Sequence, residues 1–149
     1  GHEQIALKDE IDHVRQYLFI QKQRYGDKLQ YEIEEDESIA DYKLPKLVLQ
    51  PLVENAIYHG IKEIDRQGMI RVTSAAEEGQ LILSIYDNGR GFDVNASMDA
   101  TLLRLGGVGL KNVDQRLRLQ FGDDYHMEIQ SEPDKFTRIS LYLPLVTDD

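Results

Sequence analysis

The sequence predicts an α+β domain, a two-layer sandwich in which three helices pack against a sheet of about five strands. Three observations support this class. The chain has 149 residues, 41% of them apolar and 30% charged, which is enough for one hydrophobic core. Three segments carry apolar residues every three or four positions, as amphipathic helices do. About five shorter segments, bounded by turn residues and arranged in hairpins, have the pattern of strands.

The first helix is predicted over residues 3–25, because apolar residues recur there at spacings of four, three and four. Gly26 and Asp27 follow directly and are expected to end it. The apolar stripe of this helix consists of Leu7, Ile11, Val14 and Leu18.

A strand and a second helix come next. Residues 29–33 alternate between apolar and polar, which predicts a strand, and the acidic residues 34–41 are expected to form a solvated loop. Residues 47–61 carry a further apolar stripe and are predicted to be helical. Pro51 lacks a backbone N–H, so this helix either kinks at Pro51 or starts again with Pro51 in its first position.

The second half of the chain is predicted to contain four strands and a third helix. Residues 92–105 have no periodicity and are interpreted as a mobile loop. Gly122 is expected to end the third helix from the position after its last turn. The strands are predicted over residues 69–75, 81–86, 126–130 and 136–143, and the helix over residues 110–121.

Charge and composition exclude several classes of function. Seventeen Lys and Arg against 27 Asp and Glu give a net charge of −10, which disfavours nucleic acid and direct contact with an anionic membrane. No cysteine is present, so disulfides, thiolate zinc sites and thiol nucleophiles are excluded. The apolar runs are too short to span a bilayer. Gly1-His2 resembles a cloning scar. A bound nucleotide remains compatible with the charge, because backbone amides and one metal ion can hold phosphates locally.

The second helix carries the first candidate functional group. Pro51, Asn55, His59 and Lys62 lie opposite its apolar stripe at spacings of four, four and three. The Asn55 side-chain oxygen could bind a hard cation such as Mg²⁺, which prefers oxygen and accepts few protein ligands. A polar, solvent-facing stripe explains the same pattern, and taken alone it is the simpler interpretation.

The second candidate lies at the end of the strand over residues 81–86, where Asp87 is followed by Asn88, Gly89, Arg90 and Gly91. Asn-Gly is a strong hairpin signal, but no alternating strand follows it. A carboxylate at a strand end beside two glycines suits a pocket floor, since it can accept a hydrogen bond from an exocyclic amine.

The third candidate is the glycine-rich stretch over residues 106–110 at the start of the third helix. Free amides at a helix N-terminus can hold a phosphate, although a flexible glycine hinge would have the same sequence. The P-loop pattern is absent, and so is the third glycine of a dinucleotide fingerprint.

Taken together and in this order, the three candidates resemble the N box and the two glycine boxes of the GHKL superfamily of ATPases and kinases. Asp87 follows Asn55 by 32 positions, and Gly107 follows Asp87 by 20. The stretches over residues 49–56, with His59-Gly60, and over residues 107–113 are similar to the LytS/YesM-like sensor histidine kinases. Residues 17–27 resemble the linker helix that precedes their catalytic domain.

This resemblance implies a linker helix over residues 1–26, followed by the catalytic domain over residues 27–149. The catalytic domain is expected to have a Bergerat-type ATP-binding fold with a mixed sheet. It implies that Asn55 binds Mg²⁺ and that Asp87 accepts from the adenine amine, with residues 92–105 as the ATP lid. Glu54 is a second catalytic candidate. The residues implied to contact ATP are Asn55, His59, Lys62, Asp87, Gly89, Gly91, Phe92, Gly107, Val108, Gly109 and Leu110.

Three further positions can be compared with the family pattern. Many histidine kinases have Lys or Arg three residues after the N-box Asn, where this chain has Tyr58, and Lys62 one turn later is the proposed substitute. Gyrase-type ATPases place a general base at the position of Pro51, so kinase chemistry is favoured over hydrolysis. Arg116 fits the family pattern and is expected to pair with a neighbouring carboxylate.

The function implied is phosphoryl transfer from Mg-ATP to a histidine upstream, in a homodimeric kinase that relays the group to a response regulator. No acceptor block surrounds any histidine of this chain, so the acceptor is expected outside it. The domain is expected to be cytoplasmic, in a protein that is an integral membrane sensor. Two alternatives stay open, namely a protein-serine kinase of the anti-sigma-factor type and a nucleotide-binding pseudokinase.

Overall fold

The computed structural model describes residues 3–94, 101 and 108–145. They contain three α-helices and seven strands, and short 3₁₀ turns follow α1, β2 and α3. A π-helical segment, Ala56–Ile61, continues α2 without a break. In chain order the elements are β1 (Gln4–Ala6), α1 (Leu7–Tyr25), β2 (Leu29–Glu34), β3 (Lys43–Pro45), α2 (Leu49–Asn55), β4 (Gly68–Glu77), β5 (Gln80–Asp87), α3 (Val108–Phe121), β6 (His126–Glu132) and β7 (Phe136–Pro144).

The main sheet has five strands in the order β2-β4-β5-β7-β6. Strand β2 runs parallel to β4 and the other neighbours are antiparallel, so the sheet is mixed. The apolar faces of the three helices join the sheet in one hydrophobic core. The predicted α+β class, its mixed sheet and the preceding helix are therefore confirmed.

Helix α1 contributes to this core rather than standing apart from it. Val14 and Leu18 are fully buried, and Leu7 and Ile11 are nearly so, which confirms the apolar stripe read from the sequence. The helix begins at Leu7, however, and not at residue 3. Residues 4–6 instead form β1, which pairs antiparallel with β3 about 40 positions later, and a local period cannot reveal such a partner.

The expectation that Pro51 starts the helix again was wrong. Helix α2 begins at Leu49, so Pro51 is its third residue. An N–H in the first turn has no partner within the helix, and the proline therefore leaves no gap in the hydrogen bonding. The acidic loop over residues 34–41 contains a 3₁₀ turn, Glu37–Ile39.

The remaining predicted elements lie where the sequence places them, and none of their ends is shifted by more than two residues. Gly122 follows the last residue of α3 with a φ of 59°, which is the conformation expected for a glycine that ends a helix. Of the predicted loop over residues 92–105, residues 95–100 and 102–105 lie outside the described residues. Among the described helices, none is long and apolar enough to cross a membrane.

Candidate functional site

A cavity of about 400 Å³ opens where the π-helical segment crosses the adjoining ends of β5 and β7. Three of the sequence candidates, Asn55, His59 and Asp87, are brought together at its wall, and Gly91 and Phe92 complete the loop side. The residues that line it are Asn55, His59, Gly60, Asp87, Arg90, Gly91, Phe92, Asp134 and Thr137.

Asp87 is the buried carboxyl group of this cavity. Its side chain is only 3% exposed, and Oδ1 accepts a hydrogen bond of 2.9 Å from the Gly89 N–H. Burial raises the pKa of the Asp87 carboxyl from its ordinary value of 3.8 to about 7, while the hydrogen bond from Gly89 acts in the opposite direction. An incoming N–H donor would favour the ionised form, so the group is suited to bind one.

Two glycines allow the helix and the strand end to approach each other closely. A Cβ atom on Gly60 would lie 2.5 Å from Asp87 Oδ1, and a Cβ atom on Gly89 would meet the backbone of Gly60. The glycine at 89 is therefore needed for packing against Gly60, and it is not among the residues that line the cavity. Gly91 has a φ of 56° and also faces the backbone of Glu132, so a side chain is excluded there twice.

Two arginines hold the loop that follows β5. The Arg90 amide donates to the Gly60 carbonyl at 3.1 Å, and Arg90 Nε donates to the His59 carbonyl at 2.8 Å. Arg66 Nη2 donates to the carbonyls of Asn88 and Gly89 at 2.5 and 2.9 Å. The end of the π-helical segment is thus hydrogen-bonded to the loop beside Asp87.

Asn55 lies at the junction between α2 and the π-helical segment and is 9% exposed. In the described part of the chain its side-chain amide has no hydrogen-bond partner, and no fully buried side-chain polar atom is left unsatisfied there. The amide is therefore accessible through the cavity. Its oxygen is a suitable ligand for Mg²⁺, which commonly takes one or two protein ligands beside water and phosphate oxygens. No cluster of three or more His, Cys, Asp or Glu side chains suited to a metal is found among the described residues.

A second cavity, of about 280 Å³, shares Asn55 and His59 with the first. It lies between helices α1, α2 and α3, and the start of α3 contributes Gly109 and Leu110. Its lining residues are Tyr17, Pro51, Glu54, Asn55, Tyr58, His59, Gly109 and Leu110. The two cavities together extend from Asp87 past Asn55 to the start of α3, and they thus reach part of each of the three sequence candidates.

The other sequence candidates are placed as follows. Lys62 lines neither cavity, and its Nζ lies 4.5 Å from the centre of the Tyr58 ring. Val108 is the first residue of α3, and Gly107 lies outside the described residues. The helical wheel places Lys62 with Asn55 because it assumes α-helical turns, whereas the π-helical segment contains a wider turn, marked by the bond from the Lys62 N–H to the Ile57 carbonyl.

Sequence reasoning missed four of the lining residues: Gly60, Arg90, Asp134 and Thr137. A signal for Thr137 exists, because it shares the inward face of β7 with Ile139, Leu141 and Leu143 and is itself 5% exposed. A polar residue at the end of an inward-facing apolar row indicates a site. Thr137 pairs with Asp87 across the sheet.

The expectation for Arg116 was wrong. Among the described residues it pairs with no carboxylate. Its guanidinium donates to the carbonyls of Lys46 and Leu47 at 2.5 and 2.6 Å and to Asn112 Oδ1 at 2.9 Å. These acceptors are neutral, and two of them are main-chain atoms about 70 positions away, which no local pattern reveals.

Comparison with known proteins agrees with this arrangement. The family model for histidine kinase-, DNA gyrase B- and HSP90-like ATPases matches residues 40–147. The sensor histidine kinase BtsS of Escherichia coli K12 is 39% identical over 140 residues, and YesM of Bacillus subtilis 168 is 35% identical over 140 residues. Each alignment covers 94% of this chain and 24% of the kinase, so the chain spans about a quarter of these relatives.

Solved structures show the same fold at low sequence identity. The histidine kinase domain of the blue-light activated kinase EL346 from Erythrobacter litoralis superposes with a TM-score of 0.70 at 18% identity, covering 94% of this chain and 61% of that one. The family match, the relatives and the fold agree with the resemblance read from the three motifs. The chain belongs to the histidine kinase-, DNA gyrase B- and HSP90-like ATPase family, and within it to the catalytic ATPase domains of LytS/YesM-like sensor histidine kinases.

Proposed function

We propose that this chain binds Mg-ATP in the two joined cavities and presents the γ-phosphoryl group to a histidine acceptor. The observation that carries the proposal is the placement of two groups on one cavity wall: the buried Asp87 carboxyl, and the Asn55 amide that no other described side chain engages. A carboxylate recognises an amine, and an amide oxygen suits a hard cation, so the pair selects a nucleotide with its metal.

The proposed contacts divide along the cavities. Asp87 would accept from the adenine amine, and Gly91 and Phe92 would border the base. Asn55 would hold Mg²⁺, and the amides of residues 108–110 in the first turn of α3 would face the phosphates, as is proposed also for Gly107, which lies outside the described residues. Bound Mg²⁺ neutralises charge that develops on the transferred group. His59 lines both cavities and is proposed to contact the nucleotide between them. Glu54 lines only the second cavity and stays a catalytic candidate, while Gly89 contributes by packing.

The wider biological context is proposed from the relatives. Residues 1–26 would be the linker and residues 27–149 the catalytic domain of a kinase that is homodimeric and anchored in the membrane. The acceptor histidine would lie upstream, a response regulator would receive the phosphoryl group, and this domain would act in the cytoplasm. No contact with nucleic acid or with lipid is proposed for it, because its net charge is −10.

One observation favours a second candidate, a pseudokinase that binds nucleotide without transferring phosphate. Tyr58, at the position where related kinases carry a basic residue, is 64% exposed, and Lys62 lies over its ring and lines neither cavity. Magnesium-dependent transfer to any acceptor would exclude this alternative.

Calorimetry tests the binding proposal. We expect ATP to bind more tightly than GTP, because guanine presents a carbonyl where adenine has the amine. Asp87→Ala should weaken ATP binding roughly ten- to a hundred-fold, the value of a charge-assisted hydrogen bond in a closed site. Asn55→Ala should leave ADP binding without Mg²⁺ nearly unchanged and abolish the gain from adding Mg²⁺. Asp27→Asn, at an exposed position, is the control. Equal affinities of the unmodified chain for ATP and GTP would contradict the assignment of Asp87.

A further inference from the structure

The turn over residues 46–48, between β3 and α2, is held from two sides by side chains of two other helices. Its central residue, Leu47, has a φ of 58°, a backbone conformation that a leucine adopts only when its surroundings impose it. The turn leads directly into α2, the helix that ends at Asn55. The contacts that impose this conformation therefore also set the start of that helix.

Glu10 of α1 supplies the first set of contacts. Its side chain is buried, with 1% exposure, and its carboxylate oxygens accept from the amides of Leu47, Val48 and Leu49 at 3.1, 2.5 and 2.8 Å. These amides lie at the positive end of α2, where a carboxylate is stabilised by the helix dipole. Hydrogen bonds to an ionised acceptor are about twice as strong as neutral ones.

Arg116 of α3 supplies the second set. Its two terminal nitrogens donate to the carbonyls of Lys46 and Leu47, while Nε donates to Asn112 on the same helix. The turn thus presents its amides to α1 and its carbonyls to α3. Helix α3 is also the element whose first turn lines the second cavity.

The opposite end of the helical segment is fixed independently. Gly60 packs against Asp87 and Gly89, and Arg90 donates to the carbonyls of His59 and Gly60. Asn55 lies between this anchor and the 46–48 turn. Its position relative to Asp87 and to the start of α3 is consequently determined by both ends.

We infer that Glu10 and Arg116 are positioning residues for the metal and phosphate end of the nucleotide site. By holding the start of α2, they place the Asn55 amide opposite the first turn of α3, and they join helix α1 to the site through one buried carboxylate. This inference rests on the proposed function, since it assumes that Asn55 meets a nucleotide-bound metal ion.

The two anchors make the effects of mutation unequal. If the start of α2 is released, the segment pivots about Gly60, so Asn55 moves while Asp87 and its loop keep their contacts. Recognition of the base should then survive, while the gain in affinity that Mg²⁺ gives to ADP should fall. A displacement of about 1 Å at a reacting centre can cost on the order of a hundred-fold. We expect at least a roughly ten-fold loss of the magnesium gain.

The experiment measures three dissociation constants by calorimetry: for adenosine, for ADP without Mg²⁺ and for ADP with Mg²⁺. The variants are Glu10→Ala, Glu10→Gln, Arg116→Met and Arg116→Lys. Asp9→Asn removes the same charge from the exposed neighbour of Glu10, and Arg15→Met removes a cation whose partners among the described residues are the exposed carboxylates of Asp12 and Glu35. The unfolding temperature of each variant is recorded alongside.

We expect adenosine affinity to change less than three-fold while the magnesium gain falls in Glu10→Ala and Arg116→Met. Glu10→Gln should retain part of the gain, because one acceptor oxygen remains, and both controls should retain all of it. Should Glu10→Ala not fold, Glu10→Gln and Arg116→Met decide the question. Equal losses for adenosine and Mg-ADP, or an unchanged magnesium gain, would overturn the positioning role. An unmodified chain that binds neither ligand would instead refute the proposed function, and this inference with it.

Discussion

Asp87 shows how one residue serves binding at the expense of the stability of the empty domain. Within the part of the chain that the structure describes, its buried carboxyl accepts one hydrogen bond, from Gly89, so burial penalises ionisation when no ligand is present. A structural role would be served better by an asparagine of the same shape. The loss of stability that comes from burying the Asp87 carboxyl is explained if a ligand donates a hydrogen bond to it.

This cost predicts how stability depends on pH. The pKa of Asp87 is 3.8 when unfolded and about 7 when folded, so between these values the folded chain holds a proton that the unfolded chain has lost. The contribution of Asp87 to the free energy of unfolding therefore falls as the pH rises through this window and levels off above pH 7. Asp87→Asn removes this pH dependence. The free energy of unfolding of the variant, relative to that of the unmodified chain, should therefore increase by about 2–3 kcal/mol as the pH rises from 5 to 8.

Urea unfolding of both chains at pH 5, 6, 7 and 8 measures this difference. Asp27→Asn serves as the control, since Asp27 is exposed and its substitution should shift the free energy of unfolding equally at every pH. A stability difference between Asp87→Asn and the unmodified chain that does not vary with pH would show that Asp87 is ionised in the folded state throughout.

Among single residues, the sequence identifies those site residues whose neighbours along the chain form a recognisable local pattern. Asp87 stands between a strand and two glycines, and Asn55 stands on a helix with a polar stripe. Glu10 carries no such signal, because it sits within the predicted first helix as one more charged residue, and its partners lie 37 to 39 positions away. Only the tertiary structure shows that this glutamate is buried.

Among the elements, the close crossing of the π-helical segment over the end of β5 determines the shape of the site. Gly60 and Gly89 face each other across it, and the three atoms that a Cβ on Gly60 would meet first all belong to Asp87. The side chain of Asp87 thus occupies the space that a larger residue at position 60 would need.

We therefore expect a specific non-additivity between these two positions. Gly60→Ala alone should lower the free energy of unfolding by about 1–3 kcal/mol, the usual cost of overpacking, because the carboxyl must move. In an Asp87→Ala background the same substitution should cost clearly less, since the obstructing atoms are gone. Urea unfolding of the two single variants and the double variant provides the coupling energy. Strict additivity would show that Gly60 is required for a reason other than contact with Asp87.

The sequence predicts an element correctly where the residues that face the core recur with a regular period. It fails where an element forms only by pairing with a strand that is distant in the sequence. The stripe of Leu7, Ile11, Val14 and Leu18 predicts α1 correctly. The pairing of β1 with β3 involves three residues on each side and leaves no periodic trace. The parallel pairing of β2 with β4 likewise depends on a connection of more than 30 residues rather than on a hairpin.

For the whole molecule, the net charge of −10 bears directly on how a nucleotide can bind. Free ATP is a polyanion and is repelled at long range, so the attraction must come from local donors and from a cation. Mg²⁺ reduces the charge of the nucleotide and supplies a ligand position for Asn55. The acidic composition thus adds to the expected dependence of nucleotide binding on Mg²⁺. It also means that nucleotide binding cannot be explained by a general attraction of the chain for phosphate groups.

None of the four histidines of the chain lies in the acceptor motif of the related kinases. His59 lies on the same helical segment as Asn55 and its carbonyl is bound by Arg90, so we expect that its imidazole does not approach the γ-phosphate in line. His13 is exposed on α1 without the acceptor motif, His126 stacks on Tyr142 at the start of β6, and His2 lies outside the described residues.

We accordingly expect this chain to bind ATP without phosphorylating itself. Incubation with Mg²⁺ and radiolabelled ATP should leave it unlabelled, whereas adding a separate acceptor-histidine segment from a LytS/YesM-like kinase should yield labelled acceptor. Acid treatment should remove that label, because phosphate on histidine is acid-labile and phosphate on serine is stable. An Asn55→Ala chain serves as the control and should transfer nothing. Stoichiometric labelling of the chain alone would refute the expectation. If the label then mapped to His13, this exposed residue of α1 would be the acceptor.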